Sequence, residues 1–348
     1  MISHLLLFGT ILIVSFYLLY FFSEHYFIPS LDNISKRFNL SSDISGATLM
    51  AAGSSAPELA VVIISILKSG NHESIGVGTI IGSALFNLFI ITGAVMVIKN
   101  NKKMVWQPLV RDLIFYALSI VLLVWFFSDG IFSLWEAAAF TGGYLIYFGA
   151  LFVWKKKFPY KDIEPSEGNN DQPSAGLDAF LKRRIGKPNN MYIAFFLDVF
   201  FISLFSWTLV TSAIEVSEAL GIPEFIIALT VVALGTSVPD LLASVVVAKQ
   251  GRPGMAINNA VGSNIFDILI GLGFPFLLLF IFSGKSVQVE NNNLWISFFL
   301  LTGSIVILTL SFLLTKWKTS RIAGWLLIIL YAFYLLYQIA CISGTQIC

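Results

Sequence analysis

Two short stretches of the chain carry residues suited to holding a hard cation. One is Gly53-Ser54-Ser55-Ala56-Pro57-Glu58, and the other is Gly235-Thr236-Ser237-Val238-Pro239-Asp240. Each sets a carboxylate directly after a proline and a cluster of hydroxyls, within an apolar run. An ionisable side chain at membrane depth is costly and is normally turned toward a cavity or an ion path. Further along, Gly82-Ser83-Ala84-Leu85-Phe86-Asn87 is matched by Gly262-Ser263-Asn264-Ile265-Phe266-Asp267, and Gly93 by Gly273. Pooled, the side chains are the carboxylates of Glu58, Asp240 and Asp267, the Asn87 amide, and the hydroxyls of Ser54, Ser55, Thr236, Ser237, Ser83 and Ser263. Every donor atom is oxygen. Ca²⁺ takes roughly six to eight oxygens, whereas zinc or copper would call for imidazole or thiolate. Ser83 with Asn87, and Ser263 with Asp267, stand one helical turn apart and share a helix face. Each pair is expected to face the broken helix of its own repeat. A lone Gly-x-x-x-Pro in a span is ordinarily a packing kink; two copies in register, each followed by a carboxylate, point to a site built from two halves.

The backbone is expected to contribute ligands too. Pro57 and Pro239 lack an N–H and crowd the preceding turn. Gly53 and Gly235, four residues earlier, let the chain leave helical geometry cheaply. The spacing predicts breaks over 53–57 and 235–239 that free the carbonyls of 51–54 and 233–236, those of Ala51 and Ala233 included. Free carbonyls at membrane depth must line a cavity or bind something. Each proline also stands where a new half-helix begins, so the carboxylate after it gains from the positive end of that helix.

The elements that carry these motifs must be membrane helices. The 348 residues are 57% hydrophobic and 12% charged, against roughly 25% charged in soluble domains. The apolar runs are about 20 residues long, the length of a helical crossing, and they lack the alternation of a membrane barrel. Ten spans are read: 3–23, 43–68, 74–98, 107–127, 131–154, 191–219, 222–248, 254–282, 293–315 and 322–342. The polar stretch 155–190 divides 1–154 from 191–348. The run 5–22 has neither a basic residue before it nor a small-residue cleavage site, and reads as a retained span rather than a signal. Cys341 and Cys348 are too few for a disulfide framework. With both termini outside, 19 of the 21 Lys and Arg residues fall on the cytoplasmic side, and only Lys68 and Lys285 outside; basic residues are retained on that side. Glu24, His25, Glu215 and Glu218 are read near the outer surface, and Asp198 near the cytoplasmic end of its span.

Each half then holds five spans, an odd number, so the second half enters the membrane from the opposite face. The expected fold is all-α: two inverted five-helix repeats with broken helices 2 and 7. In transporters of that design the site lies at the midplane on broken helices.

At these residues the chain resembles the calcium/cation antiporter superfamily, whose mark is a pair of inverted alpha repeats. Within it the likeness is to potassium-dependent sodium/calcium exchangers, carried by Glu24-His25-Tyr26-Phe27-Ile28-Pro29-Ser30-Leu31, by the stretch from Gly46 to Leu59, and by the second repeat from Gly235 to Asp240 and Gly262 to Ile268. The resemblance implies that Glu58 and Asp240 are the central Ca²⁺ ligands, helped by the Ser54 and Thr236 carbonyls. It implies one Na⁺ site at Ser55, Ser83 and the Ala51 carbonyl, and another at Ser237, Ser263 and the Ala233 carbonyl. Asn87 and Asp267 complete the centre, and an aspartate at 267 is associated with K⁺. The chain departs from the pattern at Val62, where the family usually has a hydroxyl that the second repeat keeps as Ser244.

The resulting expectation is a secondary antiporter of a prokaryotic cell (inner) membrane, exchanging Na⁺ for Ca²⁺, with K⁺ as a further ion. Its substrates are ions and its surroundings lipid; no cofactor, nucleic acid or obligate protein partner is called for. Proton/calcium exchange is the rival among transporters, with Asp267 taking a proton when cations leave its carboxylate neighbours. A cation channel is the rival from another class, but several deep carboxylates would hold a divalent ion too tightly for fast conduction. No nucleophile–base set for an enzyme is visible.

Overall fold

The computed structural model describes residues 2–27, 48–49, 51–68, 72–160, 191–249, 251–284, 287–288 and 294–342, with a few isolated positions between 30 and 37. The described chain is a bundle of helices: α1 (Ile2–Phe22), α2 (Ala51–Ser54), α3 (Ala56–Leu67), α4 (Glu73–Phe86), α5 (Thr92–Ile98), α6 (Trp106–Phe126), α7 (Leu134–Lys157), α8 (Met191–Leu220), α9 (Glu224–Ile227), α10 (Ala233–Thr236), α11 (Val238–Lys249), α12 (Pro253–Phe266), α13 (Gly273–Ser283), α14 (Leu294–Leu314) and α15 (Arg321–Ile342). Widened π turns extend α1 over Ser23–Phe27 and join α4 to α5, α9 to α10 and α12 to α13. Eight helices among the described residues are long and apolar enough to cross a membrane, or nine if Glu224–Thr236 and Asp240–Lys249, bent by 47°, form one crossing. The expected second span is represented by α2 and the short apolar α3; 43–47, which would lengthen it, lie outside the described residues, as does most of the linker, 161–190.

Local sequence explains several helix ends. Ser133 and Glu136 form a reciprocal capping box at the start of α7, whose last turn carries Lys155, Lys156 and Lys157; this arrangement matches the helix dipole at both ends. Pro57 and Pro253 stand in the first turns of α3 and α12, where no intrahelical N–H is needed.

α1 and α8 pack antiparallel along their length. His4 meets Glu215 at 3.3 Å near one end, the Ser15 and Thr208 hydroxyls lie 2.8 Å apart between, and Ser30 donates to Asp198 at 3.1 Å near the other. Glu24 and His25, in the π turn at the end of α1, therefore lie at the opposite end from Glu215 and Glu218, not beside them as read from sequence. A run of acidic residues does not reveal which end of a span it flanks. His25 packs against the Phe21 ring with centroids 5.1 Å apart.

The span formed by α4, its π turn and α5 is the most enclosed crossing. Its packing depends on Gly82. A Cβ there would come 2.2 Å from the Leu229 carbonyl oxygen and 2.6 Å from the Ala233 Cβ, so only glycine lets the backbones of the two halves approach this closely, in the manner of small-residue contacts between membrane helices. Gly82→Ala is expected to destabilise the protein by about 1–3 kcal/mol, read as a lower thermal midpoint in detergent; an unchanged midpoint would show that the two helices slide apart freely. Gly235 serves close packing as well. A Cβ there would strike the Phe16 ring of α1 at 2.1 Å.

Loops tie the halves together at their ends. β1 (Ile131–Phe132) pairs antiparallel with β2 (Val287–Gln288). The segment after α5 bonds to the one after α14, through Asn101 N–H to Thr319 O at 2.8 Å and Met104 N–H to Trp317 O at 2.9 Å. Arg111, counted from sequence with the cytoplasmic loop, is buried inside α6. Its guanidinium donates to Asp112 at 2.7 and 3.2 Å, and Tyr147 donates to the same carboxylate at 3.0 Å. An adjacent carboxylate lets the helix take in an arginine that hydropathy alone assigns to a loop.

Candidate cation site

The doubled motifs meet in the centre of the bundle. Glu58, Asp240, Asp267, Asn87, Ser54, Ser55, Ser83, Thr236, Ser237 and Ser263 are all buried. Glu58 belongs to the first turn of α3 and Asp240 to that of α11. Asn87 and Asp267 each open a π turn, the first after α4 and the second after α12. Such turns frequently mark functional positions, and these two fall at matching places in the repeat.

The contacts run between halves. Ser83 shares a 2.8 Å hydroxyl contact with Ser237 and donates weakly to Glu58 Oε1 at 3.4 Å and Asp267 Oδ2 at 3.5 Å. Ser237 also donates to Glu58 Oε1, at 3.2 Å. The Ser54 and Ser263 hydroxyls are 3.3 Å apart, and Asn87 Nδ2 donates toward Asp240 Oδ2 at 3.4 Å. The Ser83/Asn87 face thus reaches into the second repeat, and Ser263 into the first. Ser83 also reaches Glu58 on the broken helix of its own repeat, as expected; the contacts to the opposite half are what the sequence did not indicate. Helical periodicity defines a face but not the neighbour it meets.

The breaks are also narrower than the spacing predicts. α2 and α3 are separated by Ser55 alone, and α10 and α11 by Ser237 alone. The Ala51 carbonyl accepts from Ser55 N–H at 2.9 Å and the Ser54 hydroxyl at 3.2 Å; the Ala233 carbonyl accepts from Ser237 N–H at 3.1 Å and the Thr236 hydroxyl at 3.2 Å. Neither is free as expected. A proline withholds its N–H from the carbonyl four residues back, and those residues are Gly53 and Gly235.

What remains free is a set of oxygens. Ser55 Oγ, Glu58 Oε2, Asn87 Oδ1, Asp240 Oδ1 and Asp267 Oδ1 are buried without a hydrogen-bond partner. Buried polar atoms are nearly always satisfied, and an unmade bond costs about 1–3 kcal/mol, more for charged groups. All five are acceptors or can act as one, and three belong to carboxylates. The missing complement is positive charge. Among the described residues no three carboxylate, imidazole or thiolate groups close into a tight metal centre; hydroxyls and an amide stand between the carboxylates instead. Ser244 is buried with its hydroxyl unpartnered, one turn beyond Asp240, while Val62 fills the matching position with an apolar side chain.

Asn264 was not legible as part of the site. Its Oδ1 accepts from Asn87 Nδ2 at 2.9 Å and its Nδ2 donates to the Ala84 carbonyl at 3.0 Å. This fixes both amides and leaves Asn87 Oδ1 available. Ala84 is the repeat mate of Asn264, so the two matching positions touch each other, and the motif comparison sees only an unlike pair there. At the α8 end of the bundle, His72 meets Glu224 at 2.9 Å and Lys68 donates to Thr211 at 2.7 Å. These residues clasp helix ends away from the site.

An all-helical membrane bundle with a buried, oxygen-only cluster shared by two similar halves is the architecture of an ion-transport protein. The chain belongs to the sodium/calcium exchanger protein family, which matches residues 8–153 and 191–340. It is 26% identical to sodium/potassium/calcium exchanger 4 of Homo sapiens over 93% of this chain and 79% of that protein. Among solved structures it is similar to the sodium-calcium exchanger NCX_Mj, at 26% identity with a TM-score of 0.59 over 95% of this chain and 99% of that one. It also shares the fold of the H⁺/Ca²⁺ exchanger CAX, with a TM-score of 0.67 over 99% of this chain and 84% of that one, at 18% identity.

Proposed function

We propose that the protein is a secondary antiporter that exchanges Na⁺ for Ca²⁺ across a membrane by alternating access. The observation that carries this reading is the cluster of five buried, unpartnered oxygens from Ser55, Glu58, Asn87, Asp240 and Asp267. Family membership supports the same ions. One Ca²⁺ or several Na⁺ neutralise the same carboxylates, so either load excludes the other. Glu58 and Asp240 are the central Ca²⁺ ligands. Ser55 with Ser83, and Ser237 with Ser263, serve the flanking Na⁺ positions, with Ser54 and Thr236 beside the centre. Asp267 adds a third negative charge, which K⁺ balances.

The same reading divides the chain into 1–154, a cytoplasmic linker 155–190, and 191–348, the two flanks being five-helix repeats inverted relative to each other, with both termini of the chain outside, in a prokaryotic inner membrane. The hydroxyl-rich halves and the cross-half contacts support it. Radiolabelled Ca²⁺ uptake into Na⁺-loaded proteoliposomes tests the function: uptake is expected to need the outward Na⁺ gradient, and uptake driven only by a pH gradient would make the protein a proton/calcium exchanger. A cysteine introduced at Ser174 tests the orientation. It is expected to resist an impermeant thiol reagent on intact cells and to react after lysis; labelling on intact cells would reverse the topology.

A further inference from the structure

The two halves offer an internal comparison of the walls on either side of the site. In the first half, α4 runs inward from its N-cap, His72, and packs on the α9–α10 segment of the second half. This seam is tight along its length. A Cβ at Gly78 would come 2.8 Å from the Phe225 carbonyl oxygen, and one at Gly82 would come 2.6 Å from the Ala233 Cβ. At the inner end the Ser83 and Ser237 hydroxyls lie 2.8 Å apart. The matching seam, between α12 and α2, is looser. Gly262 is the mate of Gly82, and a Cβ there would have no described atom within 4 Å, the Cβ of Ala51, mate of Ala233, included. The site is therefore shut on the His72 side, and an ion reaches it from there only if α9 and α10 part from α4. This inference rests on the reading of the halves as inverted repeats that expose the site to one face at a time.

The outer end of the closed seam carries a contact between halves. His72 Nδ1 lies 2.9 and 3.0 Å from the two Glu224 carboxylate oxygens, and both side chains are largely buried, at 14% and 21% exposure. Glu224 belongs to the first turn of α9, so it moves with the segment that must part. An ionised carboxylate only accepts, so Nδ1 carries the hydrogen and a second proton goes to Nε2. That proton turns a hydrogen bond into an ion pair, and histidine is the side chain that takes it up between about pH 5 and 8. We propose that His72 is a positioning residue for the α9–α10 segment: its contact with Glu224 is a clasp that holds the seam shut, breaks when the site opens to this face, and is tightened by acid.

The other charged groups at this end do not duplicate it. Lys68, at the end of α3, donates to Thr211 of α8 at 2.7 Å, and its charge acts on Glu215 and Glu224. His4 pairs with Glu215 at 3.3 Å and so joins α1 to α8 rather than spanning the seam. Glu73 follows His72 in the first turn of α4, and Glu218 lies in the last turn of α8.

The test reads opening directly. Leu229, buried in the core that α4 shares, supplies the probe: Leu229→Cys is introduced beside Cys341→Ser and Cys348→Ser. Its rate of maleimide labelling in Na⁺ medium is compared with that of the same protein carrying His72→Gln or Glu224→Gln. Glutamine at 72 keeps a neutral hydrogen bond to Glu224 but takes no proton. At about pH 8, His72→Gln is expected to label within about twofold of its parent; at about pH 5.5, both variants should label roughly three- to tenfold faster, the scale of one strengthened hydrogen bond. Comparison at a single pH cancels the titration of the thiol and of the site carboxylates. A merely structural role for His72 would give a ratio that does not change with pH. A constant ratio, or labelling that neither variant alters, overturns the clasp. The exchanger reading is judged separately, by Na⁺-driven Ca²⁺ uptake of the wild-type protein; its absence would overturn that reading and not the clasp.

Discussion

Glu58→Gln and Asp240→Asn are each expected to abolish Na⁺-driven Ca²⁺ uptake, with a loss of roughly 100-fold or more. Each substitution keeps the shape of the side chain and removes its charge. Glu58 Oε1 accepts from Ser237 at 3.2 Å and Ser83 at 3.4 Å, bonds an amide oxygen can keep. What vanishes is the charge at a buried position that a divalent ion must find. Removing one member of a buried charge pair typically costs about 3–5 kcal/mol, and each 1.4 kcal/mol is about tenfold in affinity. The fold should survive, because both carboxylates are buried with an oxygen unpartnered and neutralising one relieves repulsion. The check is initial uptake rate per correctly folded protein, with the thermal midpoint measured beside it. Near-normal flux in either variant would remove that residue from the site.

Asp267→Asn is expected to leave Ca²⁺ transport running while removing its response to K⁺. Ca²⁺ brings two positive charges, which match Glu58 and Asp240. The third buried carboxylate then lacks a counter-charge, and an uncompensated buried charge costs several kcal/mol. That is too much for a loaded state that must form on every cycle. Asparagine at 267 reproduces the residue at the repeat mate, Asn87, and needs no further cation. Uptake measured across a K⁺ series should be flat in the variant and rising in the wild type. Wild-type uptake indifferent to K⁺ but steeply dependent on pH would assign the third charge to a proton.

The ligand types were legible because the chain writes them twice, and a carboxylate in an apolar run needs a reason to be there. Residues such as Glu58 and Asp240 identify themselves in this way. Partners across the halves did not. Ser83 meets Ser237 as well as Glu58 of its own repeat, and only the folding of one half onto the other decides that. Asn264 was hidden because its mate is Ala84, and its role is a contact with that mate's carbonyl. Ala51 and Ala233 were read as free carbonyls because proline chemistry marks a break but not its width; one residue is enough to turn each helix, and the carbonyls four places earlier find the N–H groups of Ser55 and Ser237. Arg111 and Asp112 show the same limit from the other side, since adjacent opposite charges can enter a span together.

On this reading, one buried cluster takes Ca²⁺ and Na⁺ in alternation. Equilibrium binding of radiolabelled Ca²⁺ to the purified protein, titrated with Na⁺ at constant ionic strength, tests it most directly. Saturable Ca²⁺ binding that Na⁺ displaces cooperatively, and that Glu58→Gln abolishes, is the expected result. Ca²⁺ binding that persists in Glu58→Gln, or that Na⁺ fails to displace, would contradict it.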